Sequence, residues 1–598
     1  MTTPSLDPRT WPTAEREHYL DLSLRLFAGD PAYGSRDNAI ILGSTGPFAQ
    51  LAARKALEAG GTIIDAVVTM ALAQTTLAMG SWVSFAGICN LVFYEAETGR
   101  VHSLNGGFRT FKLETDPLTI PAQPEPSGRT ALVPGFFKAL EQAHQRWGRL
   151  PWADLFEPAL YLADEGFEIA AEHVGVFAFR ADVLQRTPEG RAIFCDAEGE
   201  LPKLGSTFRQ PALAATLRAI AAQGSDFVYT GPWAHKFVEV VNREGGKASL
   251  DDLAEYDTLV DEPYTTTYRG YDVHTLAGER GGAALCEALN LAELAEVGDP
   301  LTSGDDLYWM VQISRQCMAT LIDPPDRERT TKEHAERVWK LMQNKGGAAV
   351  KEALATSLHS DFIGGVDEFG NVVAVLHSVN TSMWGTTGIF VDGIGVPDSA
   401  AIQTDLLAKV GPGGLVANVS EPAIFLKDGK PVLASSIIGT GMPDVPLQCL
   451  TAVLDRGLTP GQAVTRPLFQ GPSILSKPAR PDGDGANDPQ NGTAQTVRVA
   501  NDPQNGGAVA TDADDADTKK RRWQEALDNL DEVSQVFEEG FAEAVLDEAR
   551  AKGLRIEVKD PRDKTIPRGF WLGVLIDQET GRLHAARTRG TWGVVEGY

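Results

Sequence analysis

The absence of several familiar catalytic motifs directs attention to hydroxyl groups. No HExxH occurs, and His334, in Lys332-Glu333-His334-Ala335, has no partner at metal-binding spacing. There is no Walker-type phosphate loop, no GxSxG elbow and no strand-linked GxGxxG. The ten histidines are scattered, so no metal and no organic cofactor is expected. What remains is a nucleophile that needs neither a metal nor a neighbouring imidazole. Ser360 opens Ser360-Asp361-Phe362-Ile363, which reads as a strand, directly after a run of small polar residues. A serine hydroxyl there can attack the carbonyl of its own preceding peptide bond, His359–Ser360. The acyl group moves from nitrogen to oxygen, and water then releases a new N-terminus. The freed α-amine has a reference pKa of about 7.7–8.0, so part of it is neutral at physiological pH. It can act as base for its own hydroxyl, and one residue then carries nucleophile and base. Read from the residues alone, a serine heading a strand is more often a turn residue, and both readings stand at this point.

The elements that must position such a serine can be read along the chain. Residues 14–28 suggest a short helix. Pro47–Leu77 is apolar and helix-rich, broken at Gly60-Gly61, with Asp65 in the first turn of the following helix. Residues 82–105 alternate and turn as a β-hairpin. Residues 134–300 read mainly as helices with short polar joints, Tyr268-Arg269-Gly270-Tyr271 among them. Near residue 360 the texture becomes strand, turn, strand from Phe362 to Val379. A second hairpin is expected at Ala423–Leu433, a helix at Pro446–Asp455, a helix at Trp523–Lys552 and a closing hairpin at Phe570–Ala586. Residues 476–520 are rich in Pro, Gly, Asp, Asn and Ala. They repeat Ala-Asn-Asp-Pro-Gln-Asn-Gly at 486–492 and 500–506, and read as a disordered surface insertion.

Composition removes several function classes. The 598 residues include 81 acidic against 54 basic side chains, a formal net charge of −27. Neutralising phosphates needs clustered Lys and Arg, so nucleic acid and anionic membranes are poor partners. Apolar residues at 43 % and charged residues at 23 % exclude disorder of the whole chain. The five cysteines are far apart, without a CxxC, which argues against a zinc ribbon or disulfide scaffold. Charged residues such as Asp7, Arg9 and Glu15 stand where a signal peptide needs an apolar core. No apolar run reaches membrane-spanning length. A cytoplasmic location is expected.

Four stretches carry a resemblance to a known family. They are Ala59-Gly60-Gly61-Thr62-Ile63-Ile64-Asp65-Ala66-Val67; Val133-Pro134-Gly135 with Trp147-Gly148-Arg149-Leu150-Pro151-Trp152; Phe208-Arg209-Gln210-Pro211-Ala212-Leu213; and Val366-Asp367-Glu368-Phe369-Gly370-Asn371-Val372-Val373 leading to Asn380-Thr381. In order and spacing they resemble the γ-glutamyltranspeptidase family of self-cleaving N-terminal-nucleophile hydrolases. The resemblance covers about residues 38–475 and 523–598. It implies an α+β fold, a four-layer αββα sandwich formed from two self-generated fragments. The expected division is an N-terminal extension 1–36, a large helix-rich fragment 37–359, and a small fragment 360–598 headed by the nucleophile. After cleavage at His359–Ser360 the protein would be a heterodimer of its own fragments.

The resemblance also implies site residues. The family's nucleophile, normally Thr, lies seven residues before the hairpin Asp. Counting back from Asp367 gives Ser360, with Thr356 and Ser357 as nearby alternatives. Ser378 stands where the family has a hydroxyl bonded to the nucleophile, and Asn380 where an Asn holds substrate. The family's oxyanion hole uses two adjacent glycines. Here the stretch is Ser435-Ser436-Ile437-Ile438-Gly439-Thr440-Gly441-Met442, so Gly439 with Thr440 or Gly441 supplies the candidate N–H donors. The departures concern substrate. The Arg that grips a glutamyl α-carboxylate falls on Gly107, leaving Arg109 as a displaced substrate-binding candidate. A Ser-Ser pair is replaced by Val416-Ala417-Asn418-Val419-Ser420, which makes Asn418 a further candidate. A buried carboxylate without its Arg is costly. The expected substrate is therefore a small-molecule, non-glutamyl acyl compound. It is deacylated or transferred through a Ser360 acyl-enzyme, by amide or C–C cleavage, with a natural-product biosynthetic intermediate as one such compound. The alternative reading is a non-catalytic relative that kept the fold for binding or regulation, motivated by Ser for Thr, Asp361 and the split glycine pair.

Overall fold

The computed structural model describes residues 5–24, 29–319, 321, 324–348, 360–439, 443–470, 535–563 and 569–598. Two seven-stranded, wholly antiparallel sheets lie face to face. One carries Ser360 and runs, in spatial order, Val595–Gly597, Ile40–Gly43, Ser360–Val366, Val372–Ser378, Ile88–Glu95, Arg100–Gly106 and Leu259–Asp261. The other carries Gly439 and runs Ala32–Arg36, Leu583–Arg587, Gly569–Ile576, Lys430–Gly439, Ala423–Lys427, Tyr271–Thr275 and Tyr264–Tyr268.

The period-two alternation of strand side chains sorts residues into layers. On the Ser360 sheet, Phe362, Ala374 and Leu376 face the opposite sheet and pack with Ile424, Ala434, Ile438, Phe570 and Leu572. Ile363, Val373 and Val375 face the other way, into helices Pro47–Glu58, Ile63–Leu77 and Phe136–Trp147. On the Gly439 sheet, Phe425, Leu433, Ile437 and Trp571 face helices Arg280–Leu294, Gly304–Ala319 and Asp444–Leu454. Strands apolar on both faces need cover on both faces, and the result is the expected α+β, four-layer αββα sandwich.

Two local devices aim the strand headed by Ser360. Helix Ile63–Leu77 starts in a capping box: the Thr62 N–H donates to Asp65 Oδ2 at 2.8 Å and the Asp65 N–H to the Thr62 hydroxyl. Asp367, at the turn after the Ser360 strand, accepts the Ile63 N–H at 2.8 Å as well as the N–H groups of Phe369 and Asn371. Hairpin turn and helix start are thereby tied together.

Several sequence expectations change. Of the helix expected over Trp523–Lys552, residues 523–534 lie outside the described residues, and the rest is a strand at Gln535–Glu538 followed by a helix at Glu543–Ala551. The strand pairs with Phe469–Gln470 and Ile556–Lys559, and burial of Val536 and Phe537 decides its state over local propensity. Residues 32–36, assigned to the N-terminal extension, are an edge strand on Leu583–Arg587. Tyr268–Tyr271 is a hairpin corner and not a joint between helices. The stretch 476–520, with Thr356, Ser357, His359, Thr440 and Gly441, lies outside the described residues. None of the five cysteines is in a disulfide, and no helix among the described residues is long and apolar enough to cross a membrane.

Candidate active site

Ser360 and Ser378 are direct cross-strand partners, and the Ser360 hydroxyl donates to the Ser378 hydroxyl at 2.8 Å. The same oxygen accepts the Asn380 N–H at 2.7 Å. Asn380 sits in the left-handed region, φ 53°, just beyond the strand end. Its Nδ2 donates to Asn418 Oδ1. Four of the sequence-predicted residues are thus one hydrogen-bonded chain. Ser360, Asn380, Ser420, Ile438 and Gly439 line the depression above it.

Gly439 ends its strand opposite Gly569 with φ 88°, a conformation that favours glycine over any residue with a Cβ. It borders the depression as an oxyanion-hole candidate should. Its expected partners, Thr440 and Gly441, lie outside the described residues.

Arg109 is not brought to this chain. Its guanidinium donates to the carbonyls of Gly413 at 3.4 Å and Asp257 at 3.3 Å, and stacks over the Tyr256 ring. A cation so engaged is turned away from a substrate carboxylate. Gly107, where the sequence resemblance would place a carboxylate grip, lies against the site: a Cβ built there would meet Asn105 Oδ1 at 2.8 Å and Asn418 Nδ2 at 3.4 Å. That backbone fits closely because no side chain is present.

The opposite face of the same two strands carries the pair Asp361 and His377. Asp361 is fully buried and accepts from the hydroxyls of Ser44 at 2.5 Å and Thr45 at 2.8 Å and from Trp82 Nε1 at 3.1 Å. Burial pushes its carboxyl up to about 7, against those three donors. His377 shares a hydrogen bond with Gln74 Oε1 at 2.9 Å, and burial pushes its imidazole down to about 3. So weak a base, on the helix-facing side away from the Ser360 hydroxyl, does not serve Ser360, and a freed α-amine is the nearer candidate for that work.

Sequence reasoning missed Glu279. It is buried beneath Asn418, where its Oε1 accepts from Asn105 Nδ2 at 2.9 Å and from Asn90 Nδ2 and Asn418 Nδ2 at 3.4 Å. Its neighbour Arg280 clamps the same loop, donating from its N–H to Asn418 O and from Nε to Ala417 O, both at 2.9 Å. The only local signal was a charged pair in an apolar stretch, Leu276-Ala277-Gly278-Glu279-Arg280. Among the described residues no group of three or more His, Cys, Asp or Glu is placed to hold a metal ion.

Comparison with known proteins gives a consistent result. A family model described as gamma-glutamyltranspeptidase matches residues 49–477. The glutathione hydrolase proenzyme of Escherichia coli (strain K12) is 28 % identical over 381 residues, 57 % of this chain and 64 % of that protein's length. The glutathione hydrolase-like YwrD proenzyme of Bacillus subtilis (strain 168) is 26 % identical over 445 residues, 71 % of this chain and 83 % of its own. Among solved structures, cephalosporin acylase from Bacillus halodurans superposes with a TM-score of 0.72 at 20 % identity, covering 95 % of this chain and 97 % of that one. At that identity the likeness is one of fold.

Proposed function

This chain belongs to the γ-glutamyltranspeptidase family, and on that premise we propose that it is a self-processing N-terminal-nucleophile acylase whose nucleophile is Ser360. The observation that carries the reading is the chain Ser360–Ser378–Asn380–Asn418 at the mouth of the depression beside Gly439. The Ser360 Oγ attacks the acyl carbon of the substrate while its proton passes to the freed α-amine. The tetrahedral oxyanion is met by N–H donors at Gly439 and the residue or residues after it; losing one such donor typically costs about 10²–10³ in rate. Collapse expels the leaving group, which takes the proton from the ammonium. Water, or an amine, then attacks the Ser360 ester and releases the acyl product.

The substrate in this reading is an acyl compound without a glutamyl α-carboxylate. Gly107 offers no cation, and Arg109 is occupied by two backbone carbonyls and Tyr256. The relatives named for glutathione hydrolysis would differ from this chain in that respect. An acylated natural-product precursor in the cytoplasm fits the proposal, with amide cleavage as the simplest reaction.

Intact mass under denaturing conditions tests the core of the proposal. Cleavage at His359–Ser360 gives fragments of 359 and 239 residues from the 598-residue chain, and Ser360→Ala abolishes both the cut and turnover. A single uncut wild-type chain would select a non-catalytic binding protein instead. Fast hydrolysis of glutathione would sink the substrate argument while leaving the nucleophile in place.

A further inference from the structure

One buried acid beside the site has no part in the reaction just described. Glu279 precedes helix Arg280–Leu294 and is inaccessible to solvent. Asn90, Asn105 and Asn418 come from two strands and a loop, and all three turn an amide N–H toward its Oε1. Oε2 has no hydrogen-bond partner among the described residues. Burial lifts this carboxyl to about 8. Oε1 remains an acceptor with or without a proton on Oε2.

A shared acceptor fixes the sense of every amide around it. Each Asn presents Nδ2 inward, to Glu279 and to a second acceptor beside it, Ser420 Oγ for Asn90, Ala277 O for Asn105 and Val416 O at 3.0 Å for Asn418, so each Oδ1 faces away. Asn105 Oδ1 then takes the Gly107 N–H at 2.8 Å. Asn418 Oδ1 takes Asn380 Nδ2. That second bond matters because Asn380 holds a left-handed backbone, which asparagine tolerates better than other non-glycine residues, and the bond helps to keep it there. Its N–H, held in that conformation, meets the Ser378 hydroxyl, which receives Ser360.

We infer that Glu279 is a positioning residue for the nucleophile: together with the Val416 carbonyl it sets the amide sense of Asn418, which holds Asn380, which holds the Ser378 hydroxyl against Ser360. The inference rests on Ser360 being the nucleophile. Three residues separate Glu279 from Ser360 in this chain, and none is replaceable by an apolar group without turning an amide over or leaving it unpaired.

The test is covalent labelling of the processed full-length protein with phenylmethanesulfonyl fluoride, followed by peptide mass spectrometry at Ser360. The Oγ–S bond forms, the S–F bond breaks with loss of fluoride, and the hydroxyl proton passes to the α-amine. Rates over a range of probe concentrations give kinact and KI separately. Glu279→Leu removes the acceptor and is expected to lower kinact about tenfold with KI changed less than about twofold. Glu279→Gln keeps an acceptor at Oε1 and is expected to stay within about threefold of wild type. Asn418→Ala breaks the same link, so the double variant Glu279→Leu/Asn418→Ala is expected to be slower than Asn418→Ala alone by less than about twofold. Should Glu279→Leu fail to accumulate as processed protein, Glu279→Met, unbranched and of similar length, takes its place. Full-speed labelling of the Leu or Met variant overturns the inference, as do Gln as slow as Leu, or losses that multiply in the double variant. A wild type unlabelled at Ser360 removes the nucleophile assignment and this inference with it. A labelled wild type with indifferent variants strikes Glu279 alone.

Discussion

The Ser360 and Ser378 hydroxyls meet at 2.8 Å because the two residues are paired rungs of one antiparallel ladder. Rungs on this face alternate with rungs on the helix face, so one hairpin register sets both the Ser360–Ser378 pair and the Asp361–His377 pair behind it. A slip of one residue would break both pairs, setting Ser360 opposite His377 and Asp361 opposite Leu376 or shifting them the other way. Asp367, which ties the hairpin turn to the start of helix Ile63–Leu77, guards that register.

Ser378→Ala leaves the ladder intact and removes the oxygen that receives both Ser360 and the Asn380 N–H. Labelling of Ser360 by phenylmethanesulfonyl fluoride is expected to slow roughly 10- to 100-fold. Thermal stability is expected to fall only slightly. Unchanged labelling would show that the contact at 2.8 Å has no part in activating the nucleophile.

Asp361 gives a pH signature. Its carboxyl is pushed from an ordinary 3.8 to about 7. The folded chain therefore keeps this proton to higher pH than the unfolded chain does. The associated stability is fully present below about 4 and is lost as pH rises through about 7. In melting curves of wild type and Asp361→Asn, the Tm difference should move against the wild type between pH 4 and 7 and level off above. A difference independent of pH contradicts this assignment.

Placing a cation at position 107 should not confer glutamyl chemistry. Gly107→Arg places a Cβ 2.8 Å from Asn105 Oδ1 and 3.2 Å from Leu415 Cδ1. The expected result is slower Ser360 labelling and no gain in glutathione hydrolysis. A variant that gained that activity would mean the depression accepts a glutamyl group once a cation is supplied.

Deletion of residues 476–520 is expected to leave the 359-residue fragment unchanged, the 239-residue fragment short by the deleted length, and Ser360 labelling unchanged. Loss of labelling in a folded, processed deletion variant would assign that stretch a role at the site.

The parts legible in sequence are those governed by local pattern. The hairpin Ser360–Ser378, the helix break at Gly60-Gly61 and the closing hairpin all follow from alternation, caps and turn residues. The spacing back from Asp367 selects the same serine that the structure sets against Ser378. What escaped depends on contacts distant in the chain. Gln535–Glu538 lies in a helix-rich composition and becomes a strand because Phe469–Gln470 and Ile556–Lys559 offer it a ladder. Ala32–Arg36 has no strand signature of its own and completes a sheet edge over 500 residues away in sequence. Glu279 draws its donors from residues 90, 105 and 418, a convergence that no local window contains.

Each inner sheet interleaves strands from before and after residue 359. Ile40–Gly43 lies between Val595–Gly597 and Ser360–Val366, and Ala32–Arg36 pairs with Leu583–Arg587. Before a cut at His359–Ser360, folding is a search by one molecule within itself. Afterwards the same ladders can be rebuilt only when two separate chains find each other. The processed protein would then hold its shape by the height of its unfolding barrier, and heating followed by dilution would be a one-way passage. The precursor, by contrast, would return at any concentration. Maturation would convert a reversible equilibrium into a lifetime.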